Sequence, residues 1–102
     1  MGGTTFMCTG KGKTAGDAFR QAQEQARYEH GHCGYTGTIA EKPSYTMIEL
    51  PADINETDSN AVGTFCRNLI DEDDPRINDK WGPAGCIQVD KEIFVFFGWA
   101  SC

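Results

Sequence analysis

A chain of 102 residues, 39% apolar and 24% charged, is sized and composed for one folded domain around a single core, which excludes two domains and a disordered chain. The net charge of −6 is uneven: residues 1–48 carry four acids and five bases, residues 49–79 nine acids and two bases, and residues 80–102 balance. The acidity belongs to one middle segment, which repels nucleic-acid phosphates and suits a basic protein partner instead.

The elements follow in chain order. Thr4 to Thr9 is rich in β-formers and predicts a strand, closed by a turn at Gly10-Lys11-Gly12. Thr14 then suits a helix N-cap, with Asp17 three residues on as its capping-box partner. The helix behind it is expected to bury Ala15, Ala18, Phe19, Ala22 and Ala26, and to end near Glu29-His30 before Gly31 and Gly34. A face built of alanine predicts a close approach to its neighbour.

Tyr35 to Ala40 and Ser44 to Leu50 are two short β-favouring runs around Glu41-Lys42-Pro43, the pattern of a hairpin. Asp58 or Ser59 is expected to cap a second helix reaching about Ile70, with Val62, Phe65, Cys66, Leu69 and Ile70 on its buried stripe. Asp71-Glu72-Asp73-Asp74-Pro75 stops it, and a polar loop with Trp81 follows. Cys86 to Val89 and Ile93 to Ala100 predict two strands around a turn at Asp90-Lys91. The last run, Ile93-Phe94-Val95-Phe96-Phe97-Gly98-Trp99, is apolar on both faces, so it should be covered on both sides by helices, a second layer or a partner chain.

This order predicts an α+β fold: two helices on one face of an antiparallel sheet of four to five strands, in ferredoxin-like order, over residues 1–102. The other sheet face would be wet, would pair copies as a homodimer, or would be bound by a partner. No run approaches the roughly 20 apolar residues of a membrane helix, and Met1 to Phe6 has neither a basic start nor an apolar signal core, so a cytoplasmic protein is expected. Phe6 also stands where a myristoylation motif needs Ser or Thr. Five cysteines without a C-x-x-C pair then predict free, mostly buried thiols.

Three groups carry chemistry. Lys11, Gly12, Lys13 and Thr14, between a strand and a helix N-terminus, suit a small anion, because free amides and the helix dipole favour negative charge there. A P-loop is excluded, since Met7 occupies the position of its first glycine. His30, His32 and Cys33 are neighbours in sequence, and could ligate zinc or copper with remote help from Cys66 or Cys86. The two histidines could also cleave a phosphodiester as acid and base with Lys42 stabilising charge, and Cys33 could serve as a histidine-activated nucleophile. The expectation is nonetheless no metal and no cofactor, because the spacing lacks the paired ligands of a structural site. Asp71, Glu72, Asp73 and Asp74 form the densest acidic run, and Pro75 and Arg76 exclude an EF-hand.

The segments Lys13-Thr14-Ala15, Ala18-Phe19, Ala26-Arg27-Tyr28 and Gly34-Tyr35-Thr36-Gly37-Thr38-Ile39-Ala40-Glu41-Lys42 resemble small uncharacterised proteins encoded by bacteriophages. The resemblance covers about a third of the chain and carries over no catalytic residue. It implies an accessory or anti-defence protein in the host cytoplasm that inhibits a host protein or complex, or sequesters a small anionic ligand. Under that expectation Asp71, Glu72, Asp73 and Asp74 bind the partner, with a compact hydrolase using His30 and His32, or a virion component, as alternatives.

Overall fold

The computed structural model describes residues 3–30, 39–79 and 81–101. In chain order it has strand β1 (Gly3–Lys11), helix α1 (Ala15–His30), a single 3-10 turn (Ile39–Glu41), strand β2 (Tyr45–Met47), helix α2 (Ser59–Asp71), and strands β3 (Ala84–Asp90) and β4 (Ile93–Ser101). Two helices and a four-stranded mixed sheet make an α+β fold. Both helix starts sit where the sequence puts them. Thr14 Oγ1 accepts from the Asp17 amide at 3.1 Å, and Asp58 Oδ1 accepts from the amides of Asn60 and Ala61 at 3.1 and 3.2 Å. Each cap satisfies donors that the first helical turn leaves without an intrahelical acceptor.

The sheet order is β1-β4-β3-β2, with β4 antiparallel to both its neighbours and β2 parallel to β3. The expected fully antiparallel, ferredoxin-like arrangement is therefore corrected. The expected hairpin is corrected too: Ile39 and Ala40 lie in the 3-10 turn, Tyr35 to Thr38 fall outside the described residues, and β2 pairs with β3. Gln23 of α1 fixes the 3-10 turn, its Nε2 donating to the carbonyls of Ile39 and Lys42 at 3.2 and 2.8 Å.

The helices lie on opposite faces of the sheet, not on one. Ala18, Phe19, Ala22 and Ala26 of α1 pack with Ala84, Cys86, Phe94 and Phe96, whereas Val62, Cys66, Leu69 and Ile70 of α2 pack with Ile87 and Phe97. Even-numbered residues of β3 and β4 serve α1 and odd-numbered ones serve α2, as the two-residue period of a strand requires. Topology explains the placement. The crossover from β1 to β2 steps across the sheet in one direction and the crossover from β2 to β3 steps back, so two parallel connections of the same right hand must use opposite faces. β4 is accordingly covered on both sides, as its doubly apolar sequence demands.

Candidate functional site

The acidic run closes α2. Asp71 is its last residue and Glu72 its C-cap, whose N–H donates to the Asn68 carbonyl; Asp73 follows at φ 58, a left-handed conformation unusual for a residue with a side chain, and donates its N–H to the Ile70 carbonyl. Asp71, Glu72 and Asp73 are exposed. Asp74 is different: it accepts from Arg76 Nε at 3.0 Å, Arg76 Nη2 at 2.9 Å and the Arg76 amide at 2.9 Å. Those bonds hold its carboxyl below the usual carboxylate range. Of the four acids, three project freely and the fourth shapes the turn.

At the candidate anion site Lys11, Lys13 and Thr14 are exposed and Gly12 is half-buried. Several of its amides already have acceptors. The Lys11 N–H donates to Gln21 Oε1 at 3.0 Å, that of Gly12 to the Glu92 carbonyl at 3.0 Å, and that of Asp17 to Thr14 Oγ1. The two glycines answer to packing. A Cβ on Gly10 would lie 2.4 Å from the Ala18 carbonyl oxygen, and one on Gly12 2.5 Å from the Ala18 nitrogen, so α1 rests directly on the end of β1. β1 itself runs through to Lys11, past the glycine where the sequence suggested a turn.

His30 is the last residue of α1, while His32 and Cys33 lie outside the described residues. Their remote helpers are separated: Cys86 belongs to the α1 side of the sheet and Cys66 to the α2 side, so the two cannot bind one ion. Among the described residues no group of three His, Cys, Asp or Glu is placed to hold a metal. Cys8, Cys66 and Cys86 are free thiols. Burial pushes them up to about 11 at Cys8 and about 12 at the other two, which keeps them protonated and poorly nucleophilic at neutral pH. Lys42 is 3% exposed, and its Nζ donates to the Asp79 carbonyl at 3.2 Å, clamping the segment before β2 to the loop before β3.

The sequence missed one surface. β1 is a nine-residue edge strand flanked by an open groove on each side. On the α1 side a groove of about 250 Å³ is lined by Phe6, Cys8, Gln25, Ala26 and Glu29. On the α2 side a groove of about 520 Å³ is lined by Met7, Thr9, Val62, Gly63, Val89 and Val95. Met7, 39% exposed, borders both. No local signal could have revealed this, because which strand forms an edge depends on pairings across the whole chain. No helix among the described residues is long and apolar enough to cross a membrane. No family model matches the chain, and neither does any curated protein or solved structure.

Proposed function

We propose that the chain acts by binding and not by turnover, as a small acidic accessory protein of bacteriophage type that inhibits a host protein or complex by docking the end of α2 on it. The observation that carries this reading is the position of Asp71, Glu72 and Asp73. Carboxylates at a helix C-terminus meet the negative end of the dipole, at a cost of about 0.3–1 kcal/mol each. The left-handed backbone at Asp73 adds roughly 1–2 kcal/mol. A helix optimised for stability alone would carry lysine or arginine there. Acids held in the open at an unfavourable site suit a basic partner surface, whose cations relieve both the repulsion and the dipole.

The test reverses Asp71, Glu72 and Asp73 to Lys, leaving Asp74 to hold Arg76. Capture of the host protein should be lost while the melting temperature holds or rises, because exposed charges contribute little to stability and much to association. Added salt should weaken the wild-type complex by slowing association. A reversed variant that inhibits as well as wild type, beside inactive His30→Ala and His32→Ala variants, would replace this reading with the hydrolase.

A further inference from the structure

The outer edge of β1 has a defined set of open groups. The Gly12 N–H points inward to the Glu92 carbonyl, and the β1–β4 register runs without a bulge. In an antiparallel ladder inward and outward groups alternate, so Thr4, Phe6, Cys8 and Gly10 bond to β4 while Thr5, Met7, Thr9 and Lys11 point their N–H and C=O groups away. The Lys11 N–H confirms the parity, being taken from outside the sheet by Gln21 of α1. Among the described residues none supplies an acceptor or donor to Thr5, Met7 or Thr9 on that side. Natural sheets blunt such an edge with proline, a bulge or an inward charge. β1 has none of these.

We infer that β1 is a self-association edge: two copies pair their β1 strands antiparallel, centred on Met7, and join two four-stranded sheets into one. The free groups select that register. Met7 opposite Met7 places Thr5 opposite Thr9 of the second copy and Thr9 opposite its Thr5, so every open N–H and C=O of the three residues finds a partner. A shift of two residues in one direction would set Thr5 against Lys11, whose N–H is already bonded; in the other it would pair Thr9 with Gly3 at the strand's end and lose the match of threonine with threonine and methionine with methionine. The side chains agree. Phe6 meets Cys8 of the second copy on the α1 face, methionine meets methionine beside the grooves, and threonine meets threonine, a favourable cross-strand pair.

Charge points to a second copy as the occupant. Two molecules of charge −6 can approach only through a surface free of acid, and Gly3–Lys11 contains no acidic residue and a single base at its end. Glu29, Glu56 and Asp90 stand on the groove rims, so residual repulsion between copies is screened by salt. Salt should therefore strengthen self-association while it weakens the partner complex proposed above, and the two interfaces fail independently.

Sedimentation of the full chain over a concentration series should show a reversible dimer that tightens with salt. Amide exchange at Thr5, Met7 and Thr9 should slow as concentration rises. Met7→Lys sets two ammonium groups side by side and should weaken the dimer at least about tenfold, with circular dichroism and melting unchanged. Met7→Cys should give a disulfide between copies at position 7 on oxidation, since a hydrogen-bonded pair sits about 5.5 Å apart at Cα, within disulfide reach. A monomer at every concentration, or a dimer that Met7→Lys leaves intact, overturns the inference. Protection of the three amides only after a different protein is added overturns it in favour of a strand donated by that protein.

Discussion

The two helices solve the same problem differently. α1 lies backbone to backbone on β1: its face is alanine, and added Cβ atoms at Gly10 and Gly12 would fall within 2.4 and 2.5 Å of Ala18 main-chain atoms. α2 stands off on valine, leucine, isoleucine and the ring of Phe97, and a Cβ on its Gly63 would meet only Arg67 Nη2 at 3.4 Å and Met7 Sδ at 3.9 Å. Small residues on both partners narrow a layer and leave the smaller groove beside β1. Bulky ones hold it open, and over β1 the opening becomes the larger groove. The acidic end and that groove both belong to the α2 side, so the looser layer carries the surface proposed to dock the host protein.

The contrast can be broken most forcefully at Phe97, fully buried with its ring over Gly85, where a Cβ would lie 2.6 Å from Cζ. Phe97→Ala should cost about 3–5 kcal/mol in urea unfolding. A loss near 1 kcal/mol would mean that the α2 layer collapses into the gap and is looser than described. Gly10→Ala should cost about 1–3 kcal/mol, because the obstructing atom is helix backbone and cannot swing aside. A neutral result there would remove the close approach on which the α1 layer depends.

Both layers should share one pH response. An unfolded thiol ionises near pH ~8.5, whereas Cys8 is pushed up to about 11 and Cys66 and Cys86 to about 12. Above pH ~8.5 the folded chain therefore keeps protons that the unfolded chain has released, and stability falls with rising pH by about 1.4 kcal/mol per unit per thiol until the folded thiols titrate. Urea midpoints followed into the alkaline range should show the decline, and a flat profile would mean thiols open to water. The smallest effect has the opposite sign to Gly10. Gly63→Ala should stabilise α2 by about 0.5–1 kcal/mol, since the site is helical and its neighbours are flexible side-chain ends.

Helix signals in the sequence were accurate, whereas the turn signal at Gly10-Lys11-Gly12 was not, since β1 runs on to Lys11. The caps at Thr14 and Asp58, the two buried stripes and the two-sided cover of β4 are all present in the structure. Long-range signals were not. β2 is three residues long and its partner β3 lies beyond an intervening helix, so nearby turn chemistry at Glu41-Lys42-Pro43 suggested a hairpin where the structure has a 3-10 turn over Ile39–Glu41. Ile77, 1% exposed in the α2 core, stands alone in a polar loop without periodicity to mark it. Placing both helices on one face also conflicted with the doubly apolar β4, and the strand pattern proved the stronger guide. For the candidate sites, composition located the acidic run, but only the structure separates Asp74 from its three neighbours.

β4 is the last strand in the chain and stands second in the sheet, between β1 and β3. Among the described residues the first strand therefore has no neighbour in the sheet until β4 arrives, and their long ladder closes a loop containing almost everything else. Closing such a loop loses entropy before any pairing energy is returned, which slows folding relative to chains built from local contacts. β1 and α1 adjoin in sequence and can pack early, but the free side of β1 stays unpaired until β4 is in place. During that interval β1 has both edges open, and its pairing with β4 is what distinguishes a finished molecule from an aggregation-prone precursor.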